Sequence, residues 1–434
     1  MVHPLFADDH KLEAYWLDQA PPPDLPEPVQ PKSADVAVVG SGYTGLSAAL
    51  TVAREGRSVI VFDAEDAGWG CSSRNGGQCG ASLKPGLDGL TKRYGGARAK
   101  AMYGDALASL EYLVDFIERE KIECDLIRPG RFIGAHTPGK YDAMARDFDT
   151  LNRVLGIECH AVPKAEQLGE IGSDLYHGGV VIENHAAVHP ARYHRGLLER
   201  AMSAGVEIAA HTPVTRIERT QTGFEVTTPR GVTVARDVVI ATNGYTNTST
   251  IVPGFARRVI PIGSYMIATE PLAPGLIDRL MPKNRVLNDS RRVVLYWRAT
   301  PDRTRIVFGG RVALAETDPL ISGPKLHAVM SGIHPELAEV KISHSWMGFV
   351  AYTFDKVPHL GVRDGMHYAM GYCGSGVAMA SYLGHKAGLK VLGDADGATA
   401  FDDLPLQTRP FYGGKPWFLA GAVAYYRMRD RLAR

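Results

Sequence analysis

The stretch DVAVVGSGYTGLSAALTVAREGRSVIVFD, residues 35–63, reads as a strand, a glycine-rich turn, a helix and a second strand. Its turn carries the G-x-G-x-x-G spacing at Gly40, Gly42 and Gly45, and the missing side chains let a pyrophosphate approach the backbone. The apolar stripe that follows from Leu46 predicts a helix whose first amides face the phosphates. The segment therefore predicts a dinucleotide cradle of the Rossmann type.

The second strand of this unit ends at Asp63, where a carboxylate can accept hydrogen bonds from the ribose hydroxyls of a dinucleotide. The turn, the helix start and this strand end supply the first group of predicted cofactor contacts. They are Gly40, Gly42, Tyr43, Thr44, Gly45, Asp63 and Ala64.

Beyond Asp63 the chain departs from the pattern of nicotinamide enzymes. Such an enzyme would continue with more strand and helix units, whereas this chain enters GWGCSSRNGGQCG at residues 68–80. FAD is longer than NAD, and its isoalloxazine needs a second binding surface beyond the pyrophosphate turn. The departure favours FAD, and a nicotinamide-dependent dehydrogenase stays open as the alternative. The predicted flavin contacts in this loop are Ser73, Arg74, Asn75, Gly76, Gly77 and Gln78.

Length, composition and charge are those of a globular protein of more than one lobe. A chain of 434 residues predicts two lobes, and 45% hydrophobic with 22% charged residues is typical of globular proteins. The net charge of +1 gives no reason to expect nucleic-acid binding. Five scattered cysteines without a C-x-x-C pair indicate a reducing cytoplasm rather than disulfides or zinc. We predict a cytoplasmic protein without a metal, a targeting peptide or an integral membrane segment.

The order of patterns along the chain predicts an α/β fold, α+β overall, in two lobes. Residues 1–33 include a proline-rich lead and read as an N-terminal arm. Alternating strands between residues 259 and 310 predict an antiparallel sheet with one face toward a cavity. The predicted domains are a discontinuous, Rossmann-type FAD-binding lobe (34–95, 155–250 and 340–434) and a substrate lobe (96–154 and 251–339).

Several spaced motifs together resemble one superfamily. They are GSGYTGLSAAL (40–50), SSRNGGQ (72–78), HPARYHRGL (189–197), SYMIATEPL (264–272), the W-x-G segment (346–361) and GYCGSGV (371–377). The chain resembles the D-amino-acid oxidase superfamily of flavoproteins, and within it the gamma-glutamylputrescine oxidase and L-pipecolate oxidase branch. The resemblance implies FAD, hydride transfer from a carbon next to nitrogen, an imine released to hydrolysis, and usually oxygen as acceptor.

The resemblance also implies further FAD contacts. They are Val214, Thr242, Gly244, Trp346, Gly348, Asp355, Gly374, Ser375, Gly376 and Val377. Of these, Val214, Thr242 and Gly244 would lie at the adenine and pyrophosphate end. A helix that begins after the last glycine loop would direct free amides at the flavin pyrimidine carbonyl. Sarcosine oxidase relatives attach the flavin to a cysteine just after the W-x-G motif, where this chain has Val350. No cysteine is close in sequence, which predicts noncovalent FAD.

Amine oxidation needs a neutral amine more than it needs a base. An apolar cavity disfavours the ammonium form and lowers an alkylamine pKa from about 10.4. Predicted aromatic contacts are Tyr265, Tyr296 and Tyr352, with Trp297 a further candidate. Gln78, Arg298 and Arg311 are predicted to hold a distal carboxylate or amide.

The sequence thus predicts an FAD-dependent oxidoreductase, an oxidase in preference to a dehydrogenase. Its predicted partners are a small-molecule amine, like gamma-glutamylputrescine or pipecolate, and oxygen, with hydrogen peroxide as a product. The predicted assembly is a monomer or a small homo-oligomer. The alternatives are an amino-acid dehydrogenase with another electron acceptor and a non-catalytic flavin-binding partner protein, which the intact glycine-rich regions disfavour.

Overall fold

The computed structural model describes residues 3–28, 30–248, 251 and 254–432. The strands are β1 (Phe6–Lys11), β2 (Ser33–Val39), β3 (Val59–Phe62), β4 (Gln78–Cys79), β5 (Arg131–Gly134), β6 (Cys159–Val162), β7 (Gly179–Ile182), β8 (Ala186–Ala187), β9 (Glu207–Ala209), β10 (Arg216–Arg219), β11 (Phe224–Thr228), β12 (Gly231–Ile240), β13 (Ile260–Thr269), β14 (Val286–Asp289), β15 (Leu295–Ala299), β16 (Ile306–Gly310), β17 (Ile342–Tyr352), β18 (His359–Arg363) and β19 (Met366–Met370). The helices are α1 (Tyr15–Gln19), α2 (Tyr43–Arg54), α3 (Cys71–Arg74), α4 (Gly86–Tyr94), α5 (Gly96–Arg119), α6 (Pro138–Leu155), α7 (Pro190–Ser203), α8 (Leu276–Leu280), α9 (Pro319–Ile333), α10 (Gly376–Leu392) and α11 (Leu419–Leu432).

The smaller of the two main sheets holds the predicted cradle. Its strands follow the order β10-β11-β12-β2-β3-β9, with β19 beside β12 and β18 beside β19. The centre, from β9 through β3, β2 and β12 to β19, is parallel. Both faces of such a sheet are covered, which explains the unbroken apolar runs of β2 and β3. The predicted strand, turn, helix and strand of residues 35–63 are confirmed.

Helices α2 and α10 pack closely against each other over this sheet. Gly384 of α10 sits so near α2 that a Cβ there would lie 2.4 Å from the Thr44 carbonyl oxygen. The small residues let the two helices cross at short distance, and both begin at the same end of the sheet, after the β2 and β19 strands. Two helix N-termini from distant parts of the sequence therefore meet at one place.

The larger sheet has the strand order β1-β17-β13-β16-β15-β14-β5-β7-β6. The predicted antiparallel strands between residues 259 and 310 are confirmed as β13, β15 and β16. Side chains alternate between the two faces, so register decides which residues meet. One face packs a core of large apolar residues that includes Phe132, Leu287, Trp297 and Phe308. The other face turns toward a cavity.

Sheet membership differs from the predicted domain boundaries. Strands β6, β7 and β17 lie in the larger sheet, although they fall inside the segments 155–250 and 340–434 assigned to the FAD-binding lobe. Helix α5, assigned to the substrate lobe, packs with α10 and shares the core of the nucleotide-side helices. The chain crosses between the two sheets more often than composition and spacing reveal.

The predicted N-terminal arm, of which residues 1, 2 and 29 lie outside the described part, is partly regular. Strand β1 pairs with β17 in parallel, and α1 buries Trp16 beside His189 and Trp346. The proline-rich stretch after α1 contains no helix or strand among its described residues. Within the described ranges, no helix is long and apolar enough to cross a membrane.

Candidate active site

A large cavity of about 1450 Å³ extends from the glycine turn after β2 to the open face of the larger sheet. Its wall includes the turn at 40–44, the loop at 68–84, strands of the larger sheet and the start of α10, which are far apart in the sequence. On the side formed by the larger sheet, strand register decides which residues face the cavity. Four of them occupy one face of adjacent strands: Ser264, Met266, Tyr296 and Gly348.

The nucleotide end of the cavity is built around the first turn. Gly40 has φ +103°, a conformation that favours glycine, and stands against the Ala241 backbone. Asp63 closes the turn: one carboxylate oxygen accepts bonds from the Ser41 amide at 2.7 Å and hydroxyl at 2.5 Å, and the other accepts from the Glu65 amide at 3.1 Å. The carboxylate lines the cavity and retains lone pairs for ribose hydroxyls.

The loop after α3 is held in place by its own side chains. Asn75 donates to the Cys71 and Ser72 carbonyls, and its oxygen accepts from the Gly77 amide at 2.8 Å. Arg74 donates to the Trp69 carbonyl at 2.6 Å and lies over the Trp69 ring. The loop is therefore a preformed surface, with Gly76 in the wall of the cavity.

The cavity fits FAD by size and by the groups that border it. Two helix starts, Tyr43 and Thr44 of α2 and Gly376 and Val377 of α10, line it, and the first turn of a helix favours anions. The Tyr43 amide itself donates to the Ser72 hydroxyl at 3.0 Å. Glycine turns at both places leave room for a cofactor backbone. The residues that would hold FAD are those of the two helix starts, Asp63, and the loop at residues 74–78.

Most of the predicted site residues lie in this one wall. They are Gly40, Gly42, Tyr43, Thr44, Asp63, Ala64, Arg74, Asn75, Gly76, Gln78, Val214, Thr242, Gly244, Tyr296, Arg311, Gly348, Tyr352, Gly374, Ser375, Gly376 and Val377. Their roles toward the flavin and the substrate remain predictions. The structure brings together residues that are more than 300 positions apart in sequence.

Five predicted cofactor contacts lie behind the wall instead of in it: Gly45, Ser73, Gly77, Trp346 and Asp355. Trp346 is buried and donates its indole N–H to the Arg74 carbonyl at 2.9 Å, so it supports the loop. Asp355 accepts a hydrogen bond from Tyr94 at 3.0 Å and pairs with His359. Gly45 faces the Gly40 carbonyl inside the turn, and a Cβ on Gly77 would meet the Val188 carbonyl oxygen. Ser73 is buried in α3.

Three predicted substrate contacts also lie away from the cavity. Tyr265 points to the opposite face of the larger sheet, where it joins the core and donates to Glu316 at 2.7 Å. Trp297 lies in the same core. Arg298 lies under the 74–78 loop, where it donates to the carbonyls of Ala299, Gly77 and Val188. Sheet parity, which single residues do not reveal, accounts for Tyr265 and Trp297.

No cysteine is close to Val350 in the sequence, but one is close to it in the structure. Cys71 lines the same wall, and its thiol donates to the neighbouring Phe349 carbonyl at 2.8 Å. Burial raises the pKa of the Cys71 thiol to about 11, which leaves little reactive thiolate at neutral pH. Noncovalent FAD therefore remains the prediction.

Sequence reasoning missed several residues of the wall. Arg131 and Asn288 extend from β5 and β14, and Lys84 comes from the loop before α4. The sequence did contain one indication of Arg131, because a charged residue in a short strand that is otherwise apolar is unusual. The C-terminal helix also reaches the cavity, through Phe418, Leu419, Ala422, Val423 and Tyr426.

The substrate side of the wall carries cations and aromatic rings, and its described residues include no carboxylate or histidine. The carboxylates among the described lining residues are Asp63 and Glu65, both at the nucleotide end, and no histidine is among them. Burial raises the pKa of Tyr296 to about 12 and also raises that of Tyr352, so both phenols stay neutral. This composition matches a site that binds a neutral amine.

Residues 35–387 match the family model described as FAD dependent oxidoreductase, DAO. The chain belongs to this family. It is an oxidoreductase, and FAD is its cofactor.

Relatives and solved structures agree with this assignment. The chain is 32% identical to gamma-glutamylputrescine oxidoreductase of Escherichia coli K12, over 92% of this chain and 93% of that protein. It is 28% identical to the probable oxidoreductase OrdL of Haemophilus influenzae, over 98% of this chain and 99% of that one. Glycine oxidase of Geobacillus kaustophilus has the same fold, with a TM-score of 0.71, 21% identity and coverage of 88% and 100%.

Proposed function

We propose that this protein oxidises the C–N bond of an amine that carries a carboxylate, a gamma-glutamylated polyamine in preference to a cyclic amino acid such as pipecolate. One observation carries the proposal. The cavity continues from the dinucleotide turn onto an open sheet face bordered by neutral phenols and by the cations Lys84 and Arg131, and its described lining residues there include no carboxylate or histidine. The 32% identity to gamma-glutamylputrescine oxidoreductase supports the choice of amine.

The residues of the chain would act on the amine by desolvation. When bound, FAD supplies the acceptor for a hydride from the carbon next to nitrogen. Tyr296 and Tyr352 border the space, and Tyr296 is held by a 2.9 Å hydrogen bond to Ser264. An aromatic surface of this kind solvates an ammonium group poorly, so burial there shifts the amine toward its neutral, reactive form.

The test is anaerobic reduction of the purified yellow protein. We expect gamma-glutamylputrescine to bleach the flavin band faster than putrescine, pipecolate, proline, sarcosine or D-amino acids. If no amine in this panel reduces the flavin, the proposed activity is wrong. Re-admission of oxygen then distinguishes an oxidase, which recovers its colour within the turnover time and forms peroxide, from a dehydrogenase, which does not.

The preference for oxygen, the cytoplasmic location and the small assembly stay predictions from the sequence. Peroxide formation, fractionation of cells and light scattering of the purified protein test them in turn.

A further inference from the structure

The corner of the cavity between β5 and β14 holds a positively charged group that has no partner. Arg131 lines the cavity, and its Nε atom is buried without a hydrogen bond. Within the described residues, no hydrogen bond or ion pair is found for the Arg131 side chain. Arg131 is half-buried, and a partly buried charge without a partner in the protein favours an anionic ligand.

The neighbours of Arg131 do not compensate its charge. Burial lowers the pKa of Arg131 to about 10, which keeps the guanidinium charged at neutral pH. The nearby thiol of Cys79 is neutral, since burial raises its pKa to about 12, and burial lowers the pKa of His185 well below its usual value. Lys84 adds a second positive charge, and its pKa is lowered by burial and then by Arg131. The corner therefore attracts an anion.

A second unsatisfied group faces the same corner. Register places Asn288 of β14 beside Ile133, so Asn288 and Arg131 are diagonal neighbours on the face that lines the cavity. The side-chain oxygen of Asn288 is buried and accepts no hydrogen bond from the described residues. An unpaired acceptor next to an unpaired cation matches a ligand that carries both an ammonium group and a carboxylate.

The three side chains predicted from sequence to hold a carboxylate are already occupied. The amide nitrogen of Gln78 donates to the Leu287 and Trp297 carbonyls, at 3.4 and 3.1 Å. Arg298 donates to three carbonyls, and Arg311 pairs with Glu316 at 3.0 Å. Arg131 is thus a half-buried arginine of this wall whose Nε has no hydrogen-bond partner, and its planar donors suit a bidentate pair with a carboxylate.

We propose that Arg131, with Asn288 beside it and Lys84 adding charge, binds the alpha-amino acid end of a gamma-glutamyl amine. This assignment rests on the proposed function and deepens it. The carboxylate pairs with the Arg131 guanidinium, and the alpha-ammonium donates to Asn288. The same corner discriminates against amines that lack a carboxylate, because binding them leaves Arg131 unpaired.

The test compares two amines in three variants of the FAD-loaded enzyme. The amines are gamma-glutamylputrescine and N-(4-aminobutanoyl)putrescine, which differ by the alpha-carboxylate alone. For Arg131→Met we expect KM for gamma-glutamylputrescine to rise about 100-fold, and KM for the analogue to change by less than about threefold. Arg131→Lys keeps the charge without the planar fork, and should lose about tenfold on the first amine. Arg128→Gln, on the surface and paired with Glu111, is the matched control and should behave as wild type.

A readout without turnover separates this site from the proposed activity. Gamma-glutamylbutylamine keeps the alpha-amino acid end but lacks the distal amine, and we expect it to perturb the flavin absorbance of wild type and Arg128→Gln but not of Arg131→Met. Equal losses on both amines, or none, would overturn the site while the activity stands. If no amine reduces the flavin, the activity fails, and the site stands or falls on the gamma-glutamylbutylamine titration alone. Flavin content and melting temperature show that each variant is folded.

Discussion

The turn that cradles the dinucleotide should not tolerate a single added methyl group at Gly45. A Cβ at this position would lie 1.8 Å from the Gly40 carbonyl oxygen and 3.2 Å from Val38. Real contacts of this kind do not fall below 3.0 Å, so the turn must open by about 1.2 Å. The opposing atom belongs to the backbone, and no change of rotamer can relieve the contact. The N-terminus of α2 and the turn amides then lose their common alignment.

Two effects of Gly45→Ala compete, and the steric one should win. Alanine gains about 1 kcal/mol of helix propensity over glycine, whereas overpacking a rigid site costs about 1–3 kcal/mol. We expect a net loss of up to about 2 kcal/mol in the free energy of unfolding. Misplaced amides also weaken hydrogen bonds to a charged pyrophosphate, each contributing about 1.5–3 kcal/mol, so the Kd for FAD should rise at least tenfold.

Urea unfolding and FAD titration of the apoprotein measure both quantities. Gly104→Ala is the matched control, because Gly104 lies in α5 with nothing within 4 Å of an added Cβ. This control should gain up to about 1 kcal/mol and bind FAD normally. A Gly45→Ala protein that is as stable as wild type and holds FAD equally tightly would refute the steric reasoning.

Three further outcomes follow from the site and its surroundings. Asp430→Ala removes the carboxylate that accepts hydrogen bonds from the Arg292 and Val293 amides, so α11 should be held less firmly. We expect KM for the amine to rise several-fold while the FAD content stays unchanged. An unchanged KM would mean that the helix does not control access to the cavity. Gel filtration in denaturant should separate all of the flavin from the polypeptide. If the wild-type chain retains flavin and the Cys71→Ser chain releases it, the flavin is bound covalently to Cys71. Burial lowers the pKa of His334 to about 4, so the unfolded chain binds a proton below about pH 6.5 and the native one does not. Because of this residue, the free energy of unfolding should decrease by about 1.4 kcal/mol for each pH unit as the pH is lowered from 6.5 to 4. Urea unfolding of His334→Asn should show a smaller decrease over the same range. Equal decreases in the two proteins would contradict the assignment.

Local pattern predicted the nucleotide side of the fold well. The residues 35–63 specify strand, turn and helix through contacts within about thirty positions, so their bounds were predictable from apolar periodicity and glycine spacing. The start of α10 at Gly376 was predictable for the same reason. The sheet side was harder, because strand parity separates Tyr296 in the cavity from Tyr265 in the core.

The missed residues share one physical cause. Arg131 and Asn288 come together by the parallel pairing of β5 with β14, strands about 150 positions apart. Nothing in the local sequence of either strand encodes that neighbour. The sequence could not predict that Arg298 and Arg311 already have partners in the protein. Their partners are carbonyls and a carboxylate that only the fold brings close to them.

Strand β1 has a role that concerns the handling of the protein more than its chemistry. It covers the outer side of β17, whose backbone would otherwise present unpaired amides and carbonyls to solvent. An uncovered sheet margin of this kind is a template for pairing with other molecules. Shortening the chain through Lys11 should therefore promote self-association and precipitation, even though β1 supplies no residue to the cavity wall.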